Sequence, residues 1–157
     1  SNGFECIEES NNNTAFLNEY TNTATSNHVI RITRDNFEYY RMLHSQVEED
    51  MYWNSDRICA DIDNWIIFVK LQNNEPVGNV YYMKAEDGWY EIFGIDMKDN
   101  VFDEENFHDL LGTALNTAKE LGGKYMTFFC DDEAQAIVEK LGFRRVDKYV
   151  CYKALLD

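Results

Sequence analysis

The sequence is short of basic residues and of long apolar runs, and each shortage excludes a class of protein. Its 14 Lys and Arg face 29 Asp and Glu, which gives a formal net charge of −15. A field of this sign repels phosphate backbones and anionic lipid surfaces, so it argues against nucleic acid or a membrane as a partner and favours small cationic amines. No apolar run approaches the ~20 residues that a membrane-spanning helix needs.

Cysteine and histidine are also scarce, and they are scattered. The four cysteines share no spacing typical of metal ligands, either with one another or with the three histidines; these seven residues are Cys6, Cys59, Cys130, Cys151, His28, His44 and His108. We therefore expect no metal site. Free thiols are the ordinary state of such cysteines in a reducing compartment, so the composition favours a cytoplasmic protein.

What the sequence has in quantity is the material of a packed core. Hydrophobic residues make up 45% of the 157 positions and aromatic residues 15%, while proline occurs once. This length fits one domain. Asn, Thr and Ser dominate residues 10–27, a composition typical of a loop or linker. We therefore predict a domain over residues 28–157, preceded by an N-terminal segment over residues 1–27.

Hydrophobic periodicity divides residues 28–156 into strands and helices. In chain order the predicted elements are a strand at 29–33, helices at 37–47 and 54–62, strands at 65–71, 77–84 and 89–97, a helix at 104–121, a strand at 125–130, a helix at 132–141 and a pair of strands within 142–156. Polar turns join the three consecutive strands into hairpins. Antiparallel strands followed by a β-α-β-α-β ending predict an α/β fold, with a mixed sheet covered by helices.

Three short motifs along this pattern match those of a known family. The turn Asn-Asn-Glu-Pro-Val-Gly covers residues 73–78, the strand Glu-Ile-Phe-Gly-Ile-Asp-Met covers 91–97, and Ala134 precedes Glu-Lys-Leu-Gly-Phe at 139–143. In this order and spacing, the chain resembles the GNAT N-acetyltransferase family across residues 28–156. The resemblance implies the GNAT acyl-CoA N-acyltransferase fold, a central mixed sheet flanked by helices, and the transfer of an acetyl group from acetyl-CoA to an amine.

The resemblance also implies where acetyl-CoA (coenzyme A) would bind. In this family a bulge parts the fourth and fifth strands, and the pantetheine arm pairs with backbone groups of the fourth strand. Those groups belong here to Ile95, Asp96 and Met97. The pyrophosphate would lie on a loop at the start of the long helix, near Phe107 and His108.

The residues that the family uses for chemistry are incompletely matched. The resemblance implies Glu91 as a general base that faces the cleft; a solvated strand glutamate is the alternative interpretation. The tyrosine that often serves as the acid falls on Val138, which has no proton to give. Tyr152 is a candidate replacement, and a core tyrosine is the alternative. The Asn that often contacts the cofactor falls on Asp131.

The pyrophosphate loop has lost the residues that it needs. Counted back along the helix from Gly122, the Gln or Arg position falls on Phe102, and the two glycine positions fall on Glu105 and Phe107. Acids crowd this stretch; they stabilise a helix N-terminus, but they also take the place where a phosphate needs donors. We therefore expect weak or absent binding of acetyl-CoA. The alternative function is a non-catalytic GNAT-fold module that shapes a substrate cleft or docks on a partner domain.

A short echo links the two ends of the chain. Gly-Phe-Glu-Cys-Ile at residues 3–7 resembles Gly-Phe-Arg-Arg-Val at 142–146, either by chance or because residues 3–20 are the tail strands of a preceding GNAT module. In the second case the chain is the degenerate second half of a tandem protein. We expect Phe4–Ile7 and Ala15–Leu17 to form strand segments that pair with this domain or with a second copy, because exposed apolar residues gain nothing in water.

Overall fold

The computed structural model describes the backbone of residues 4–84 and 86–154, and the side chains of residues 10–84 and 86–146. Its strands are β1 (Phe4–Phe16), β2 (Val29–Arg31), β3 (Trp65–Gln72), β4 (Glu75–Met83), β5 (Trp89–Met97), β6 (Tyr125–Cys130) and β7 (Arg144–Ala154). Its helices are α1 (Phe37–His44), α2 (Ser55–Ala60), α3 (Glu104–Glu120) and α4 (Asp132–Lys140).

The strands form one mixed sheet in the order β2-β3-β4-β5-β6-β1-β7. Neighbouring strands are antiparallel except β5 and β6, which run parallel and are connected through α3. The hairpins β3–β4 and β4–β5 lie where the polar turns predicted them. The predicted α/β fold, with a mixed sheet covered by helices, is therefore confirmed.

Helices cover both faces of the sheet and enclose two cores. On one face, α3 and α4 pack over a large core in which Leu110 and Leu115 are fully buried. On the other face, α1 and α2 cover β3 and β4, and Tyr40, Ile58 and Trp65 are buried between them. No helix in the described part of the chain is long and apolar enough to cross a membrane.

The polar N-terminal segment is not all loop. Residues 10–16 belong to β1, which pairs with β6 from Asn11 to Phe16 and with β7 from Phe4 to Thr14. The prediction of a loop over 10–27 is therefore wrong for its first part. The expected strand segments are confirmed for the backbone of Phe4–Ile7, which lies in β1, and for Ala15 and Phe16, while Leu17 follows the end of the strand. The side chains of Phe4–Ile7 lie outside the described residues.

The C-terminal end also differs from the prediction. A pair of strands was expected within residues 142–156, but the described residues there hold one strand, β7. Its partner comes from the opposite end of the chain, because β1 lies between β6 and β7 rather than at an edge of the sheet. Periodicity within residues 142–156 carries no information about so distant a partner.

Two buried asparagines explain how a polar run can form an interior strand. Asn11 and Asn13 are fully buried under α4. Asn13 and Gln135 exchange two amide hydrogen bonds of 3.0 and 2.8 Å, and Asn11 donates to the Asp132 carboxylate at 2.9 Å. Buried polar groups are tolerated when they are paired in this way. The partners lie on α4, 121 and 122 positions away in the sequence.

We predict that Asn13→Ala lowers the free energy of unfolding by about 1–3 kcal/mol, since it removes both amide hydrogen bonds between the buried Asn13 and the half-buried Gln135 of α4. The matched control is Asn12→Ala on the same strand, because Asn12 is only half-buried and points to the opposite face. We expect this control to change stability by less than about 0.5 kcal/mol. Urea unfolding of both variants measures the difference; equal effects would contradict the buried amide pair.

Candidate functional site

The parallel strands β5 and β6 separate halfway along their length. They pair from Trp89 and Tyr125 to Ile92 and Phe128, and no further pairs follow. On its other edge β5 carries a bulge at Phe93, where the register with β4 shifts by one residue. A bulge bends the strand that contains it, so the ends of β5 and β6 diverge. This confirms the predicted parting of the two strands.

Gly94 allows the bend to pack against β4. A Cβ atom at this position would lie 2.4 Å from the Tyr81 hydroxyl oxygen and 2.7 Å from the adjacent ring carbon. Tyr81 is itself buried between α1 and the sheet, so it has no room to move away. A side chain at position 94 would therefore push β5 off β4 at the point where the strands part.

The space between the parted strands is a cleft of about 380 Å³. Residues 94–97 of β5 form one wall and residues 128–130 of β6 the other. Phe102 and Phe107 close the end at the start of α3, and Asp131 and Glu133 stand at the start of α4. The cleft thus has walls of strand backbone and apolar side chains, with acidic groups at its rim.

The predicted cofactor residues are distributed unevenly around this cleft. Ile95, Asp96, Met97, Phe107 and Asp131 line it. His108, next in sequence to Phe107, is not among the lining residues; its ring is partly exposed and lies 3.7 Å from the Asp109 carboxylate. One residue along a helix turns the side chain by about 100°, which takes it to a different face.

The structure describes the side chain of one of the two predicted catalytic residues, Glu91. Glu91 is exposed and lies in the paired part of β5, opposite Thr127, so it does not line the cleft. The expectation that it faces the cleft is therefore wrong: the strands separate only after Ile92 and Phe128. The side chain of Tyr152 lies outside the described residues.

Hydrogen bonds within the chain already engage some of the backbone that was predicted to hold pantetheine. The Asp96 N–H donates to Asn79 Oδ1 at 2.9 Å, and the Met97 carbonyl accepts from Gln46 Nε2 at 2.5 Å. Gln46 Oε1 also accepts from the Asp99 N–H at 3.2 Å. The end of β5 is thus held by side chains of β4 and of the segment that follows α1.

Both helix N-termini near the cleft are capped by aspartate. The Asp103 carboxylate accepts from the Asn106 N–H at 2.8 Å, and the Asp131 carboxylate accepts from the Ala134 N–H at 3.2 Å. An aspartate cap stabilises a helix by about 1 kcal/mol and places a negative charge at its positive end. An approaching phosphate would meet these carboxylates before it could reach the amides.

A buried histidine–aspartate pair forms the back of the cleft wall, and sequence reasoning missed it. His44 is fully buried at the end of α1, and its Nδ1 lies 3.1 Å from Asp96 Oδ2. Its Nε2 lies 2.9 Å from the Trp53 carbonyl oxygen. The His44 ring also stacks on Tyr40, with ring centroids 5.0 Å apart. The one sequence signal is that His44 follows Tyr40 by four positions on the apolar face of α1; nothing local points to Asp96.

The hydrogen-bond partners determine the protonation state of His44. Each ring nitrogen faces an acceptor, an arrangement that favours the imidazolium, the form that donates from both nitrogens. Burial alone would lower the pKa of His44; hydrogen bonds to Asp96 and Trp53, with the charges of Asp96 and Glu48, offset burial and raise the pKa above its ordinary value of 6.5. Asp96 lies between His44 and the open space, and protonation of His44 makes this contact an ion pair in the cleft wall.

Within the described residues, no group of three or more His, Cys, Asp or Glu side chains could hold a metal ion. Asp96, Asp131 and Glu133 line the same cleft but do not converge on one point. The side chains that line the cleft include carboxylates, aromatic rings and the Cys130 thiol, beside the backbone of the two strands.

Comparison with solved structures identifies this architecture. The chain aligns with a GNAT-family protein from Novosphingobium aromaticivorans at a TM-score of 0.68 and 9% identity, over 98% of this chain and 69% of the other. A GCN5-related N-acetyltransferase from Kribbella flavida aligns at a TM-score of 0.66 and 13% identity, over 96% and 59%. Saccharomyces cerevisiae N-myristoyltransferase with bound myristoyl-CoA aligns at a TM-score of 0.68 and 8% identity, over 96% and 52%.

The chain therefore has the GNAT fold, and the resemblance drawn from its three motifs is confirmed at the level of the fold. It spans between about half and about two thirds of the length of these three structures. No protein-family model matches the sequence, and a search of curated proteins gives no match.

We predict that the His44–Asp96 pair makes stability depend on pH above neutrality. Because the folded pKa of His44 is raised, the contribution of the pair is complete below the unfolded pKa of about 6.5 and is lost as pH rises through the folded value. The free energy of unfolding, measured with urea, should therefore decline between pH 6 and pH 9, and His44→Gln should remove this decline. The exposed-site control His28→Gln should retain it; a decline unchanged in His44→Gln would refute the assignment.

Proposed function

We propose that this domain binds an acyl-CoA in the cleft between β5 and β6 and transfers the acyl group, acetyl by family resemblance, to a small amine. The observation that supports this most directly is the parting of the two strands after Ile92 and Phe128. It leaves strand edges facing an open cleft, and an extended chain with amide groups can add to such an edge as another strand would.

The cleft suits one end of the acyl donor better than the other. Its walls of strand backbone and its aromatic rings, Phe102, Phe107 and Phe128, match the pantetheine arm. The pyrophosphate end meets a different environment, since Asp131 and Glu133 line the rim. We infer that the acyl-CoA is held mainly through pantetheine and the acyl chain, with a weakened phosphate site.

We assign the role of general base to Glu91. A carboxylate beside the cleft can take a proton from an amine, directly or through water, and so free the nitrogen lone pair for attack. Glu91 lies in the strand register just before the parting point, one residue before Ile92. Tyr152 remains a hypothesis for the acid that protonates the leaving thiolate.

The second candidate function is a non-catalytic module that shapes a substrate cleft or docks on a partner domain. The aspartate caps at Asp103 and Asp131 favour it, because they satisfy the helix amides that would otherwise bind phosphate. In this case residues 1–27 would be the tail of a preceding GNAT module, and that module would supply the chemistry. A cytoplasmic location remains part of the proposal and rests on composition.

Two measurements separate these candidates. Calorimetry with acetyl-CoA and with a long-chain acyl-CoA tests whether the cleft binds an acyl donor at all. A thiol-release assay with a panel of small amines tests turnover. Binding with turnover supports acyl transfer; binding without turnover, or no binding, supports the non-catalytic module.

If the domain turns over, we predict that Glu91→Gln lowers kcat/KM by about 100-fold or more, which is typical of the loss of a general base. The matched control is Glu86→Gln, an exposed acid in the turn before the same strand. This control should leave kcat/KM unchanged within about two-fold. A rate for Glu91→Gln equal to that of the control would show that another group removes the proton.

We predict that the double variant Asp131→Asn with Glu133→Gln binds acetyl-CoA more tightly than the natural chain. Asn retains the helix cap, and the two changes remove two negative charges from the rim of the cleft. At roughly 1 kcal/mol for each neutralised charge, the gain is about ten-fold or more in Kd at low salt. The charge-matched control, Asp63→Asn with Glu86→Gln, should not change the calorimetric Kd; an equal gain in the control would mean that only net charge matters.

A further inference from the structure

An open face of the sheet exposes a group of large aromatic side chains. α1 and α2 cover this face over β3 and β4, but β5 and β6 extend beyond them. Trp89 is 56% exposed, Phe93 42%, Phe129 41% and Tyr125 37%. Contiguous exposed aromatic groups on a small domain mark a surface that binds something.

These four side chains lie before and after Glu91 along β5 and β6, and we call the arrangement the aromatic frame. Every second side chain of β5 points to the same face, so this face carries Trp89, Glu91 and Phe93. Neighbouring members of this set are about 7 Å apart along the strand. On β6, Tyr125, Thr127 and Phe129 share the same face, and Thr127 lies directly opposite Glu91. One carboxylate thus stands at the centre, with a ring on either side of it along each strand.

Contacts with neighbouring side chains hold the frame in place. The Trp89 ring lies 5.8 Å from that of Tyr125 and donates its Nε1–H to Thr127 Oγ1 at 3.3 Å. The Phe93 ring packs edge-on against the buried Trp65 at 5.1 Å. The rings of Trp89, Tyr125 and Phe93 are therefore positioned before any ligand arrives, which lowers the entropy lost on binding.

We propose that the aromatic frame is a binding site for an organic cation, namely an ammonium group carried on a flat apolar body. The ammonium pairs with the Glu91 carboxylate and with the faces of the surrounding rings, and the apolar body stacks on Trp89 and Tyr125. The net charge of −15 attracts such a ligand. Arg144 lies over the Phe16 ring at the far edge of this face. Its guanidinium pairs with the Glu19 carboxylate at 3.0 Å rather than with Glu91.

The frame adjoins the cleft, because Phe129 belongs to both. If the domain transfers acyl groups, which is the function proposed above, the bound ammonium is the acyl acceptor, and Glu91 both recognises and deprotonates it. The acceptor class is then an amine on a flat hydrophobic body rather than an extended polyamine. The binding step itself does not depend on an acyl donor.

The test is calorimetry without any coenzyme A, with 2-phenylethylammonium as the probe and 2-phenylethanol as its neutral counterpart. We expect the cation to bind at least ten-fold more tightly than the neutral probe, and Glu91→Gln to remove that preference. Trp89→Leu should weaken both probes, while the control Glu86→Gln should change neither. Glu91 and Trp89 are exposed, so circular dichroism should show that both variants remain folded.

Two results would overturn the proposal. Equal binding of the cation and the neutral probe, or no binding of either, would mean that Glu91 and the rings do not form a cation site. Concentration-dependent dimerisation in sedimentation that Trp89→Leu abolishes would show that the face is covered by a second copy instead. Because no acyl donor is present, a failure here is distinct from a failure to bind acetyl-CoA.

Discussion

The site depends on the hydrogen bonds that join α1 and the segment after it to the end of β5. His44 pairs with the Asp96 carboxylate at 3.1 Å, and Gln46 bonds to the backbone of Met97 and Asp99. A strand with free backbone groups would otherwise gain hydrogen bonds by pairing with its neighbour. By fixing β5 from the α1 side, these bonds keep the cleft open, and an imidazolium is the form of His44 that can donate from both nitrogens.

The acids near the cleft serve stability and oppose one kind of ligand at the same time. Asp103 and Asp131 cap α3 and α4 through hydrogen bonds of 2.8 and 3.2 Å. The same amides would be the natural donors for a phosphate, so a helix that supplies its own carboxylate has less to offer an anion. The same abundance of negative charge favours a cation on the open face around Glu91. The two surfaces therefore differ in the sign of the ligand that they accept.

Local pattern was enough to predict most of the fold, and long-range pairing was not. The hairpins from Trp65 to Met97 and the helix that ends near Gly122 follow from alternation, turn residues and helical spacing, which are properties of neighbouring residues. The strand over residues 10–14 was missed because the side chains of Asn11 and Asn13 bond to α4, more than a hundred positions away. The His44–Asp96 pair, 52 positions apart, was missed for the same reason. The parting of β5 and β6 was predicted because it follows from the resemblance to the family. The position of Glu91 outside the cleft was not predicted, because the point where the strands separate depends on the bulge at Phe93.

The position of β1 has a consequence for how the chain reaches its native state. β1 lies between β6 and β7, and its register joins Phe16 to Tyr125 and Thr14 to Arg144. On the ribosome this strand emerges before either partner, so the β6-β1-β7 part of the sheet cannot form until both β6 and β7 have been synthesised. Contacts so distant in sequence slow folding, and a strand that stays unpaired during synthesis can form non-native pairs or aggregate. The asparagine-rich sequence of β1 reduces this risk, since its polar side chains remain hydrated until α4 forms and Gln135 replaces water as the partner of Asn13.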